Sequence, residues 1–260
     1  MLAVSPTTGA VAVGCNMGQE SVIALWDAEL QRKATQWKTL HQIEDLAWSP
    51  EGDRVAAVWW MPPYPDDGNG RRSAISAHSR RVEPSLSIYD TFGHVQSEIS
   101  TGRFEAKVVF RPDAKVIYTV SHAKCCVVGY GGTDWAKDDL RMYDIQTGAL
   151  LRNFKVPGSG VRNNFALSPS GNLIAAESTV DVKTSFLSEH NSLNVDAGFV
   201  ILDSLTGQIM FRERRKTEGA VVNQVVPLLF SPDGSKLFAG FNSVAGEYRS
   251  RTETVEYSTR

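Results

Sequence analysis

The chain has 260 residues, 42% of them hydrophobic, and carries 27 basic against 29 acidic side chains for a formal net charge of -2. That length is enough to bury a substantial core, and the balanced charge argues against nucleic acid and against a strongly cationic partner. No apolar run approaches the ~20 residues that span a bilayer, and Met1-Leu2-Ala3-Val4 opens with neither the basic nor the apolar region of a secretion signal. Two of the three cysteines, Cys125 and Cys126, are neighbours and Cys15 is remote, so disulfides do not staple the fold. These features fit a reducing, cytoplasmic location unless a leader precedes Met1.

In chain order, short β-rich runs alternate with turn signals. The first group comprises residues 10–15 (AVAVGC), 21–26 (SVIALW) and 34–40 (ATQWKTL). A second follows as DLAWS, RVAAVWW, SLSIY and VQSEIS, and a third as KVVF, VIYTVS, LRMY and LLRNFKV. The fourth is FALS, LIAAE, FVIL and QIMFRER; the fifth is PLLF, KLFAGF and ETVEYS. Runs this short, bounded by Gly, Pro and Asp and without helical periodicity, predict strands throughout.

Two turn markers repeat in phase. A Pro turn occurs at Ser5-Pro6, Ser49-Pro50, Arg111-Pro112, Ser168-Pro169 and Ser231-Pro232, with spacings of 44, 62, 57 and 63 residues. Gly9, Gly52, Gly171 and Gly234 follow in four copies, where a positive φ suits the tight reversal. The copy ending at Ala114 lacks the Gly and is expected to be less regular. The second marker, at Asp27, Asp90, Asp144 and Asp203, ends each third strand, and its carboxylate is expected to cap the next turn. Each unit is therefore predicted to be a four-stranded antiparallel sheet, graded from apolar inner strands to a polar outer one. Sheets of that kind pack face to face around an axis as a β-propeller.

SPSGNLIAAE…VILDSLTG, SPEGDRVAAV…SIYDTFG and SPDGSKLFAG resemble WD40 repeats across nearly the whole chain. The resemblance implies an all-β propeller in one domain, with blades at about 1–40, 41–101, 102–157, 158–216 and a partial 217–260. It also implies an internal hydrogen-bond network of His, turn Asp, Ser or Thr, and Trp; His41 and Trp26 alone stand near those places. YVTN-type and TolB-like propellers share the SPDG turn. Four full blades and a partial fifth fit either a five-bladed ring or, more in keeping with the family, a fragment of a seven-bladed one.

A minimal blade needs about 40–45 residues, and units two to four exceed this at one place. Residues 61–84, 122–138 and 178–197 separate the second and third strands, so all three insertions are expected on one face of the disc. The first holds Tyr64 in a Pro-stiffened stem and Arg71, Arg72, Arg80 and Arg81, which suit an acidic peptide or phosphate. The second holds Tyr130 and Trp135; the third holds Glu189 and His190. Trp59 and Trp60 precede the first loop, and alternation makes one core and the other a blade-to-blade contact. His122, Cys125 and Cys126 resemble a metal cluster, but adjacent thiolates do not readily face one ion.

No G-x-S-x-G elbow and no H-E-x-x-H motif occurs, and no catalytic, cofactor or metal residue is assigned. The resemblance implies a non-enzymatic scaffold for a protein or peptide partner, without a cofactor. The alternative is a propeller hydrolase of lactonase-like type, or the regulatory propeller of a larger enzyme. The sequence does not set the oligomeric state.

Overall fold

The computed structural model describes residues 1–17, 20–39, 42–60, 85–101, 104–122, 139–157, 164–180, 196–215, 220–245 and 249–259. Nineteen strands and no helix lie within them. The first sheet is β1 (Leu2–Val4), β2 (Val11–Met17), β3 (Glu20–Trp26) and β4 (Lys33–Thr39). The second is β5 (Gln42–Trp48), β6 (Arg54–Trp60), β7 (Leu86–Asp90) and β8 (Val95–Ile99). The third is β9 (Phe104–Phe110), β10 (Val116–His122), β11 (Asp139–Asp144) and β12 (Leu150–Phe154). The fourth is β13 (Phe165–Leu167), β14 (Leu173–Val180), β15 (Asp196–Asp203) and β16 (Ile209–Arg215). The fifth has three strands, β17 (Ala220–Phe230), β18 (Lys236–Ala245) and β19 (Arg249–Ser258). In every sheet the spatial order follows the chain order, so each is an antiparallel meander.

The inner strands are apolar on both faces because both faces are covered. Between the first and second sheets, Ala12, Ile23 and Leu25 meet Ile43, Leu46, Trp48, Val55, Ala57, Trp59 and Tyr89. Between the second and third, Ala56, Val58, Leu86 and Ile88 meet Val108, Phe110, Ile117 and Tyr143. Between the fourth and fifth, Ala175, Phe199 and Ile201 meet Val225, Leu228, Leu237, Ala239 and Phe241. The outer strands are wet: β8 exposes Val95, Gln96 and Glu98 and buries only Ile99, and β12 buries only Phe154. The chain forms two compact units, one of Met1–Gly129 with Arg141–Arg152 and one of Tyr130–Leu140 with Asn153–Arg260.

Two local expectations change. The turn at Arg111 is as regular as its counterparts. Ala114 N–H donates to Arg111 O at 2.9 Å and Arg111 N–H to Val116 O at 2.9 Å, matching Gly52 to Ser49 and Ser49 to Arg54 at 2.9 Å each. Ala114 itself takes the positive φ, 52°, where Gly52 has 73°. The strand around Pro227 also starts seven residues earlier than its apolar run, at Ala220 rather than Pro227. Pro227 is tolerated because Val225 pairs with Phe241 and Leu228 with Ala239, which leaves Val226 and Pro227 in a bulge where no ladder donor is needed.

Candidate functional site

A four-stranded meander places its first and third connections at one end and its second at the other. The two ends are built differently. At the turn end, carboxylates close each reversal locally. Asp27 accepts the N–H groups of Gln31 and Arg32 at 2.8 and 3.0 Å. Asp90 accepts those of Phe92 and His94, both at 2.9 Å, and contacts the His94 ring at 2.9 Å. Asp144 accepts both the N–H and hydroxyl of Thr147, at 2.7 and 2.8 Å, and Asp203 does the same for Thr206, at 2.7 Å each. The Thr147 hydroxyl and N–H hold the Asp144 carboxyl below its usual range. At Asp90, desolvation opposes the shift, but the hydrogen bonds from His94 and Phe92 prevail and lower it too. Each of these acids thus bonds within its own turn.

The opposite end carries the second connections, and those of the second and fourth sheets leave from paired stems. In the second sheet, Trp59 N–H donates to Ser85 O and Ser85 N–H to Ile99 O, both at 3.1 Å. Trp59 is buried between the first two sheets, and its indole N–H donates to Ser87 Oγ at 3.2 Å. Trp59 is thus a core residue between these two sheets, and the Trp60 side chain lies outside what the structure describes. Tyr89 stands edge-on to it at 6.4 Å, and burial pushes the Tyr89 phenol up to about 12. In the fourth sheet, β14 and β15 pair as far as Val180 and Asp196, and Ser178 Oγ donates to Pro157 O at 2.5 Å. The candidate residues Tyr64, Arg71, Arg72, Arg80, Arg81, Tyr130, Trp135, Glu189 and His190 lie outside the described residues, as do His41, Cys125 and Cys126.

The residues that sequence reasoning missed are polar clasps joining neighbouring sheets at this loop-bearing end. Asn16, at the end of β2, accepts the N–H of Ile43 at 2.8 Å and donates to its carbonyl at 3.0 Å, while Ser21 Oγ donates to it at 2.8 Å. In the second unit, Glu177 at the end of the apolar run of β14 accepts the N–H of Val225 at 3.2 Å, and the Asn164 amide donates to the Val225 carbonyl. Between the second and third sheets, Asp45 Oδ2 accepts the N–H of Val108 at 3.1 Å. All three targets, Ile43, Val108 and Val225, lie on innermost strands and stand opposite Trp59, Thr119 and Phe241 of the next strand. An innermost strand has a ladder on one side only, so alternate N–H and C=O groups point out of it, and the clasp side chains take up such groups. The sequence signal was a polar residue inside or ending an inner-strand run: Asn16, Asp45 and Glu177.

Asp45 and Lys107 form a charged pair within this layer. Burial raises the Asp45 carboxyl against the opposing pull of the Val108 and Leu46 N–H groups and the Lys107 charge. Burial lowers the Lys107 ammonium, and the Asp45 charge opposes that. Each charge offsets part of the desolvation of the other, while burial sets the direction of both shifts. Among the described residues, no group of three or more His, Cys, Asp and Glu side chains converges as a metal site. No helix of the described residues is long and apolar enough to cross a membrane.

No family model matches the sequence, and no curated protein matches it. Solved structures do match in shape. Hydrazine synthase of Kuenenia stuttgartiensis superposes with a TM-score of 0.65 at 15% identity, over 100% of this chain and 62% of that one. TolB from Acinetobacter baumannii gives 0.52 at 17% identity, over 98% of this chain and 53% of that one. The Cps50 (Swd1) β-propeller domain of Myceliophteria thermophila gives 0.53 at 11% identity, over 99% and 70%. The chain thus spans less than two thirds of the first two neighbours. At these identities the likeness defines the fold: an all-β propeller built of antiparallel blades.

Proposed function

We propose that this propeller is a non-enzymatic scaffold of the WD40-like type, and that it holds a protein or peptide partner through the long second connections of three blades. The observation behind this reading is positional. The connections spanning 61–84, 123–138 and 181–195 sit between the second and third strands of three sheets, while the fifth sheet crosses at 246–248. Neutral drift would scatter insertions over all connections; here the turn end is kept short by capped reversals. The stems are fixed by Trp59, Ser85 and Ser178, and a rigid base reduces the ordering cost of a loop that binds. The chemistry offered is aromatic anchoring by Tyr64, Tyr130 and Trp135 and guanidinium pairing by Arg71, Arg72, Arg80 and Arg81. An acidic peptide segment with an apolar anchor is the partner this set suits.

The test replaces the three loops with short Gly-containing turns and compares capture from cell extract by the intact and trimmed chains, with circular dichroism as the check on folding. Partners retained by the intact chain are expected to be lost from the trimmed one. Equal capture by both chains sinks the proposal, as does turnover of a lactone or peptide by a chain that captures nothing reproducibly.

A further inference from the structure

The second and third sheets share one frame, residue for residue. The pairs Ile43–Trp59, Asp45–Val58 and Leu46–Ala57 recur as Glu105–Ser121, Lys107–Val120 and Val108–Thr119. Their third strands, LSIYD and LRMYD, end on the capping acids Asp90 and Asp144. Residues facing the first sheet can therefore be compared with those facing the second. Ile43, Ala57 and Tyr89 face the first sheet, with Ser87 beside them holding the Trp59 indole N–H. Glu105, Thr119, Tyr143 and Arg141 stand in their places on the third sheet. Glu105 and Thr119 are fully buried, and Arg141 is 8% exposed. The Thr119 hydroxyl has no hydrogen-bond partner among the described residues, so this junction is not built for stability alone.

The faces that receive these two sheets differ in the opposite sense. Trp37 of the first sheet pairs with Ile23, and Ile99 of the second pairs with Leu86 at the same register. Trp37 packs on Tyr89, with ring centroids 5.3 Å apart, and next to Tyr89 on that face stands only the small Ser87. Ile99 is smaller than Trp37, and the sheet it receives presents the long Arg141. The Arg141 guanidinium donates to the Tyr143 hydroxyl and, two residues past Ile99, to the Thr101 carbonyl, both at 3.4 Å. Large thus meets small in the first junction, and small meets long in the second. Close packing admits neither Trp37 against an arginine nor Ile99 against a serine without a clash or a void. Elsewhere the two receiving faces are alike: Ala3, Ala12 and Leu25 in the first sheet match Ala47, Ala56 and Ile88 in the second.

We propose that Trp37 with Ser87 and Ile99 with Arg141 form a pairing key, which assigns the third blade to the second and bars it from the first. Apolar contact is non-directional, and chains of like repeats misassemble through like surfaces. The alanine-lined faces do not tell one blade from the next; the exchanged sizes and the buried guanidinium do. Buried charges add little net stability but penalise a wrong neighbour, because a misplaced one stays unpaired. Arg141 is the positioning residue of this key. It bars exchange of one blade for another, whether within a chain or between two copies.

The experiment is a double-mutant cycle on the full 260-residue chain, read by urea midpoints. Ile99→Trp gives the second sheet the residue of the first, against the wrong partner. Arg141→Ser gives the third sheet the residue of the second. Each variant alone is mismatched and is expected to lower the midpoint. Together they rebuild the pair of the first junction, and the combined loss is expected to be less than half the sum of the two. Should Ile99→Trp alone fail to fold, circular dichroism of the double variant decides, and a folded double variant is the expected result. Losses that simply add overturn the proposal, as does a double variant that folds no better than Ile99→Trp. Neither readout needs a partner, so equal capture in the loop-trimming test would leave this outcome standing.

Discussion

The two ends of each sheet solve the same problem in different ways. At the turn end, backbone groups left over by a reversal are satisfied within five residues, as by Asp27 for Arg32 or Asp203 for Thr206. At the loop-bearing end, groups that an innermost strand points out of its ladder are satisfied from the neighbouring sheet, as by Asn16 for Ile43 or Glu177 for Val225. The first device makes a single blade; the second locks one blade to the next. Local damage should therefore be cheap at the turn end and expensive at the loop end, where it also reaches the stems of the long connections.

The largest effect is expected from Trp59→Ala. Trp59 fills the junction of the first two sheets and fixes the stem of the 61–84 connection through Ser87. Emptying a buried Trp site typically costs about 3–5 kcal/mol. Urea unfolding should show that loss, together with weakened partner capture. A loss no larger than at a turn-end position breaks the proposed contrast between the ends.

Next comes Asn16→Ala against Asp27→Ala. Asn16 serves both backbone groups of the buried Ile43 and takes a third bond from Ser21, but its own side chain is exposed, so water can take over part of what its removal frees. About 1–2 kcal/mol is expected, since three hydrogen bonds are lost and only partly replaced. Asp27 serves exposed N–H groups that water can replace, and its loss should cost about 1 kcal/mol or less. Paired urea midpoints of the two variants give the comparison directly, and equal losses would reverse it.

This contrast also explains what the sequence could tell. The turn end was legible because each device is contiguous: a Pro, a Gly and an Asp within a few positions, repeated in phase. The strand order followed, because a meander needs nothing else. The clasps were not legible. Asn16 reaches Ile43, Glu177 reaches Val225 and Asp45 reaches Val108 only once sheets have a register against one another, and nothing contiguous in the sequence marks that register. Pro227 misled because a bulge admits a residue that a regular ladder refuses. The nine loop residues chosen for binding rest on their position in the sequence and on the stems that the structure fixes.

Protonation separates the ends more gently. At Asp90 and Asp144 the folded pKa is lowered, so their contribution is present above the unfolded value and is lost as pH falls through the folded one. At Asp45 the folded pKa is raised, so its contribution is present below the unfolded value and is lost as pH rises through the folded one. Lowering the pH from about 4 to about 2 should narrow the stability difference between the unaltered chain and Asp144→Asn, because the folded Asp144 carboxyl titrates below the ordinary carboxylate value. Lowering the pH from about 7 to about 4 should shift the difference from Asp45→Asn in favour of the unaltered chain. Urea midpoints across the two intervals read both trends, and changes confined to one shared interval would mean that the two carboxyls sit in equivalent environments.

The smallest effect tests the turn end on its own terms. Ala114 holds a φ of 52° in a reversal whose hydrogen bonds match those of the glycine-containing copies. An L residue in that region is strained by about 1–2 kcal/mol, and Gly is not. Replacing Ala114 with Gly releases the strain, but it also frees the unfolded chain by about 0.5–1 kcal/mol and uncovers one buried methyl. These terms nearly cancel, leaving an expected gain of about 0.5 kcal/mol, read as a small rise in urea midpoint with unchanged slope. A clear loss instead would mean that the Ala114 methyl, 8% exposed, contributes more by packing than its backbone costs by strain. In that case the third turn keeps alanine for the same reason the loop end keeps its clasps: a contact made beyond its own few residues.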